Sequence, residues 1–293
     1  MTEAASIAAT PGGRREGANW RCLCPVHGGR SLSLRDGRGG KLLAYCHCGC
    51  DFLDIIAELR DRGLLDGSGD GIKDDLDDRD FDREAAIRRQ RFMAAKIWAA
   101  AIPGKRSPQL KRYLLSRGIT VSPPASLRWA AQVWHSTTWH TRIEYPAMIG
   151  KVVNVDGELI AIHKTYLVAD GFAKICGIQD KECLAPVAGG AVRLAQFDPE
   201  RPLVVGEGIE NTMSLMQLRG LPGWSALSAA GIRALVLPRA VQRVLIGVDN
   251  DRNGVGQAAA RDAAWRWQQE GREVRVALPP LQCDFNDVLK GNG

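Results

Sequence analysis

Short apolar runs alternating with amphipathic stretches fill the last third of the chain. Leu203–Val205 reads as a strand and Ile209–Leu218 as a helix, and Arg243–Val248, Gln257–Glu270 and Glu273–Leu278 repeat strand, helix, strand. Such alternation predicts a parallel α/β sheet, whose polar chemistry gathers just past the strands' carboxyl ends. Upstream the period changes. Glu84–Ile102 is rich in Ala, Ile, Trp and Arg and stops at Pro103-Gly104, as a helix does, and Gln109–Arg117 is a second helix closed by Gly118. Between residues 126 and 168, Trp129, Trp134, Trp139 and Tyr145 sit among β-branched residues, with strands at Val152-Val153 and Leu159–Tyr166 around a turn at Asn154–Gly157.

Charge divides the chain further. From Asp61 to Asp82 nine aspartates face Arg62, Lys73 and Arg79, a net of −6, so the formal +6 of the 293 residues hides +12 elsewhere. A basic surface of that size commonly meets nucleic acid. The acidic stretch holds few apolar residues and reads as a flexible linker. The predicted fold class is α/β: a small cysteine-rich module over residues 1–62, the acidic linker over 63–83, a mixed α+β basic subdomain over 84–200, and the parallel α/β sheet over 201–293. No run nears the roughly 20 apolar residues of a membrane span, and the N-terminus lacks a signal-peptide pattern. A cytoplasmic protein with reduced thiols and no membrane partner is expected.

Five of the eight cysteines lie within the 29 residues from Cys22 to Cys50. Cys24-x2-His27 and Cys46-x3-Cys50 are separated by eighteen residues that read as a β-hairpin. The hairpin brings both pairs to one end and predicts a tetrahedral structural Zn²⁺ held by three thiolates and one imidazole. Cys22, His47 and Cys48 lie within reach, and Cys48 can replace either late ligand. Arg14, Arg15, Arg21, Arg30, Arg35, Arg38 and Lys41, with Trp20 and Tyr45, suit phosphates and stacked bases. Cys24-Pro25-Val26-His27, Ser31-Leu32-Ser33 and Tyr45-Cys46-His47-Cys48-Gly49-Cys50 resemble the CHC-type zinc ribbon of bacterial and phage primases. The ending is similar to that of phage- and plasmid-borne relatives, which favours Cys46 and Cys50.

The predicted sheet carries acids where chemistry is expected. Glu207 follows one strand, Asp249 and Asp251 another, and Asp284 and Asp287 follow the last. Massed carboxylates repel unless divalent cations neutralise them, and such oxygen ligands suit Mg²⁺ or Mn²⁺. The ordered set Glu-Gly … Asp-x-Asp resembles the Toprim domain of primases, topoisomerases and some nucleases. The resemblance implies that Glu207, Asp249 and Asp251 are catalytic and hold the metal, with Asp284 or Asp287 assisting. Where replicative primases carry a further Asp, this chain has Asn211. Tyr113-Leu114-Leu115-Ser116-Arg117-Gly118 and Ile160-Ala161-Ile162-His163-Lys164 resemble motifs of the primase core, which makes Arg142, Lys164, Lys174 and Lys181 the candidates for DNA or nucleotide phosphates. His163 reads as structural. The resemblance implies a DNA primase that makes short RNA primers on single-stranded DNA from NTPs, with a replicative helicase supplied in trans. The alternatives are a catalytically weak primase-like protein that binds single-stranded DNA or loads a replication complex, and a Toprim nuclease.

Overall fold

The computed structural model describes residues 3–9, 13–16, 19–36, 42–46, 50–65, 76–135, 143–177, 179–250 and 254–291. The chain divides into two units, Met1–Arg83 and Glu84–Gly293. In the first, α1 (Glu3–Ala9) precedes four antiparallel strands in sequential order, β1 (Arg14–Glu16), β2 (Asn19–Cys22), β3 (Leu32–Asp36) and β4 (Leu42–Cys46), and then α2 (Phe52–Asp61). Ala4 and Ile7 of α1, Leu32 and Leu34 of β3, and Ile55 and Leu59 of α2 form its core. The amphipathic α2 starts where the Asp51 side chain accepts the Leu53 N–H, an N-cap that satisfies a donor the helix cannot.

The helix expected at Glu84–Ile102 is longer. It is α3 (Leu76–Ala100), and it takes in the end of the acidic stretch, while residues 66–75 lie outside the described residues. There follow β5 (Ile102–Pro103), α4 (Pro108–Ser116), β6 (Leu127–Trp134), β7 (Glu144–Val153), β8 (Leu159–Tyr166), β9 (Lys181–Leu184) and β10 (Ala191–Arg193). The C-terminal part runs β11 (Leu203–Gly206), α5 (Ile209–Arg219), β12 (Gly223–Ser225), α6 (Ala229–Ala234), β13 (Arg243–Gly247), α7 (Val255–Gln269), β14 (Glu273–Ala277) and α8 (Phe285–Lys290). β12 and α6 have no counterpart in the sequence pattern, because three-residue strands and six-residue helices fall below its resolving length.

All strands from β5 to β14 share one ten-stranded sheet, ordered β14-β13-β11-β12-β10-β7-β6-β5, with β8 on β7 and β9 on β8. Residues 84–200 and 201–293 are therefore joined by β10, which pairs with β7 on one side and β12 on the other. The C-terminal strands β12, β11, β13 and β14 are parallel, as their helix-alternating pattern requires. Leu203, Val205 and Ile246 face α6 and α7, while Val204 faces Leu215 of α5 and Phe285 of α8. Burial on both faces explains why these strands read as unbroken apolar runs.

The antiparallel half is also covered on both faces. Met148, Val152 and Ala161 pack with Leu110, Tyr113, Ile209 and Met213. Ala147, Ile149, Ile162 and Tyr166 pack with Ala94 and Ala101. Lys164 belongs to the second face and corrects its expected role in phosphate binding. Only 2% exposed, it is paired with Glu182 and donates to the Trp134 carbonyl at 3.1 Å. The Tyr166 hydroxyl lies 2.8 Å from the same carbonyl and contacts the same carboxylate. Burial pulls the Lys164 pKa below its ordinary value although Glu182 works against the shift. Lys164 lies on the face that α3 covers, where an ammonium survives only with a partner.

Glu182→Ala strands that buried charge and is expected to cost about 3–5 kcal/mol in denaturant unfolding. The double variant Lys164→Met/Glu182→Leu is expected to recover most of the loss.

Candidate functional site

In the first unit, Cys24 and His27 lie in the turn after β2, Cys46 ends β4, and Cys50 directly precedes the Asp51 cap. Because Leu32 of β3 pairs with Cys46 of β4, both ligand pairs meet at one end of the hairpin. The four ligating atoms all lie within 4.8 Å of one another. The Cys24 and Cys50 sulfurs are 3.8 Å apart, and His27 Nε2 is 3.3 Å from the Cys46 sulfur. Tetrahedral zinc with sulfur bonds of about 2.3 Å sets sulfurs about 3.8 Å apart, so three thiolates and one imidazole fit the ion. The Ser31 hydroxyl lies 2.8 Å from His27 Nε2 and 3.3 Å from the Cys46 sulfur. Cys22 is 1% exposed within the core, and burial, with the neighbouring Cys24, pushes its thiol up to about 11. It packs in the core and is not among the four side chains whose ligating atoms lie within mutual reach. His47, Cys48, Arg38 and Lys41 lie outside the described residues. Arg14, Arg15, Arg30, Arg35 and Tyr45 are exposed.

In the second unit, Gly206 of β11 pairs in register with Gly247 of β13, so Glu207 and Asp249 leave adjacent strand ends. A Cβ on Gly247 would meet Leu215 of α5 at 2.4 Å, so glycine is needed for the helix to pack this close. A Cβ on Gly256, in the first turn of α7, would lie 2.8 Å from Glu207 Oε1 and 3.6 Å from the Asp249 carbonyl oxygen. That bare turn leaves room for the carboxylate near a helix N-terminus, where negative charge is favoured. Asp251 lies outside the described residues. Asp284 and Asp287 form a reciprocal capping box on α8: Asp287 N–H donates to Asp284 at 2.8 Å and Asp284 N–H to Asp287 at 3.2 Å. The donor set at the strand ends is all hard oxygen, the chemistry that suits Mg²⁺ or Mn²⁺. Among the described residues, the cysteine–histidine group is the one set of three or more ligating side chains within mutual reach.

Beside Glu207 lies a group that motif reading did not assemble. Glu210, 4% exposed on α5, accepts the Tyr113 hydroxyl at 2.6 Å. Its other oxygen is 3.5 Å from Lys181 Nζ, and Lys174 Nζ lies 3.8 Å from the first. Lys174 also pairs with Asp180 at 3.1 Å. Burial alone would raise the Glu210 carboxyl, but Lys181, Lys174 and Tyr113 together hold it down at about 2. A Cβ on Gly208 would lie 3.8 Å from Lys181 Nζ, so this lysine stands beside the residue next to Glu207. His163 faces this group from β8, opposite to Lys164 as strand alternation requires. Its Nδ1 is buried without a hydrogen-bond partner, and burial, with Lys181 and Lys174, lowers its pKa from 6.5 to about 4. The signal for Glu210 was a charged residue inside the helical run Ile209–Leu215, every member of which is buried. Arg142 and Trp139 lie outside the described residues, Trp129 is core, Trp134 is partly exposed, and Cys176 and Cys183 are exposed.

Elemental analysis is expected to find one zinc per chain, retained in Cys22→Ala and lost in Cys46→Ser or Cys50→Ser. The His163 pKa also predicts a pH effect. The unfolded chain binds this proton near pH 6.5 and the folded chain only near 4. Stability should therefore fall as pH drops through that window, by up to roughly 3 kcal/mol. Denaturant titrations of His163→Leu should show a flatter slope between those limits.

A family model for the Toprim domain matches residues 202–293, and one for a domain of unknown function, DUF7146, matches residues 88–194. No curated protein matches the chain. Among solved structures, a DNA primase domain from Pseudomonas aeruginosa is 17% identical with a TM-score of 0.46, over 70% of this chain and 75% of that one. A DnaG primase catalytic domain bound to ssDNA is 17% identical with a TM-score of 0.49, over 71% and 77%. The zinc-binding and RNA polymerase domains of the Aquifex aeolicus primase are 14% identical with a TM-score of 0.41, over 99% and 82%. No helix among the described residues is long and apolar enough to cross a membrane. Residues 202–293 are thus a Toprim domain, which follows the cysteine–histidine group and the segment that matches DUF7146.

Proposed function

We propose that the chain is a DNA primase, a template-directed nucleotidyltransferase that starts short RNA chains on single-stranded DNA. The observation that carries this reading is the pairing of Gly206 with Gly247, which sets Glu207 beside Asp249 at the edge of a Toprim domain. Lys174 and Lys181 stand next to that edge.

In this reading Glu207 and Asp249, with Asp251, hold Mg²⁺ or Mn²⁺, and Asp284 or Asp287 assists through carboxylate oxygens beyond those used in the α8 cap. When bound, the cation stabilises charge that develops as a 3′-hydroxyl displaces pyrophosphate from the α-phosphorus. Lys174 and Lys181 hold the triphosphate. Glu210 aims both lysines, and although burial works against it, its charge holds the Lys181 pKa above the ordinary value. Gly256 keeps the first turn of α7 clear for Glu207. The zinc unit, with exposed Arg14, Arg15, Arg30 and Arg35, contributes phosphate contacts to the template. Asn211 favours the second reading, a catalytically weak primase-like protein that binds single-stranded DNA, because an amide stands where the resembled primases carry an acid.

Full-length protein given single-stranded templates, NTPs and Mg²⁺ or Mn²⁺ is expected to make short RNA oligomers. Asp249→Ala and Glu207→Gln are expected to lower that rate at least about a hundredfold, near 2.7 kcal/mol of barrier, while DNA binding is kept. DNA binding without any product would support the weak primase-like protein, and metal-dependent nicking without NTPs would support the nuclease.

A further inference from the structure

Asn211 is buried, 8% exposed, in the first turn of α5. Both ends of its amide are used. Oδ1 accepts the Phe285 N–H at 2.6 Å, and Nδ2 donates to Asp249 Oδ1. A backbone N–H can only donate, so the orientation of the amide is fixed by its partners. The oxygen faces α8, and the group presented to Asp249 is the –NH₂, which is no cation ligand. An aspartate here would set two carboxylates against each other, and an alanine would leave one buried donor and one carboxylate oxygen without this partner.

The donor that Asn211 receives is an orphan of α8. The Asp284–Asp287 capping box serves the N–H groups of residues 284 and 287, while Phe285 N–H needs an acceptor from elsewhere. The helix is otherwise fixed. Asn286 Nδ2 donates to the Ser214 hydroxyl of α5 at 2.9 Å and to the Arg117 carbonyl at 2.5 Å, and Phe285 packs on Val204 and Leu215. On the far side of the acid, Asn250 Nδ2 donates to the Pro279 carbonyl at 2.9 Å, and Gln282 N–H donates to the Asn250 carbonyl at 3.0 Å. The segment entering α8 thus grips the residue after Asp249, while Asn211 grips Asp249 itself.

We propose that Asn211 is a positioning residue: it clamps Asp249 Oδ1 to the start of α8 and directs the other oxygen outward to a divalent cation. The proposal rests on the metal reading of Glu207 and Asp249 given above. Its chemistry is that of an outer-shell hydrogen bond, which orients a ligand and is typically worth about 10–100-fold in metal affinity. The amide adds a donor beside Asp249 and no charge.

The test uses full-length protein desalted without chelator, so that zinc stays bound, and reads Mn²⁺ binding and melting temperature as well as primer synthesis. Asn211→Ala should bind Mn²⁺ about tenfold more weakly than the parent, with its melting temperature lowered whether or not Mg²⁺ is present. Asn211→Asp should melt several degrees lower without added divalent ion and recover when millimolar Mg²⁺ neutralises the paired carboxylates. Unchanged Mn²⁺ affinity in Asn211→Ala would overturn the proposal, as would no Mn²⁺ binding by the parent or a melting temperature of Asn211→Asp that ignores Mg²⁺. Should Mn²⁺ binding depend on Asp249 and Asn211 while no primer forms on any template, the primase reading fails and the positioning role stands.

Discussion

The parallel pairing of β11 with β13 is the constraint on which the rest of this site depends. Matching Gly206 with Gly247 brings two strand ends level, and the residues that follow them become neighbours although more than forty positions separate them in the chain. The α5 helix can pack against this edge only because Gly247 presents no side chain to Leu215. From the same helix come Asn211, directed at Asp249, and Glu210, directed at the lysines. One helix therefore contributes to both groups, and its buried polar residues follow these contacts rather than an amphipathic period.

Two buried lysine–glutamate contacts in this protein have opposite meanings. Lys164 and Glu182 are enclosed on the face that packs against α3, and their pairing satisfies charges that the fold has already removed from water. Around Glu210, Lys174 and Lys181 remain about one-third exposed while the acid is enclosed. The first pair is closed to any ligand. The second presents ammonium groups outward and keeps its counter-charge inside, an arrangement suited to holding anions without a large local excess of positive charge.

Much of this was legible in the sequence. Leu159–Tyr166 has the same limits as β8, and the strand–helix alternation after residue 203 gives the parallel sheet, because periodicity is a local property of the chain. The clustering of Cys24, His27, Cys46 and Cys50 was legible because hairpin geometry links pairs across a short loop. The side-chain partners of Lys164, Glu210 and Asn211 were not. Tyr113 and Glu210 are 97 residues apart, and Asn211 and Phe285 are 74 apart. No spacing rule reaches that far, and strand alternation alone told only that His163 and Lys164 face opposite ways. Which way each faced depended on the helices that cover the sheet.

The junction at β10 bears on how this part of the chain can fold. The strand has three residues, yet it joins the two segments that separate family models recognise. The core beneath it mixes Leu110, Tyr113 and Met148 from one segment with Ile209 and Met213 from the other. Neither segment closes its own apolar surface, so a chain cut between them would expose close-packed core from both. Residues 88–194 and 202–293 thus share one sheet and one core and must fold together, while the cysteine–histidine module closes a core of its own.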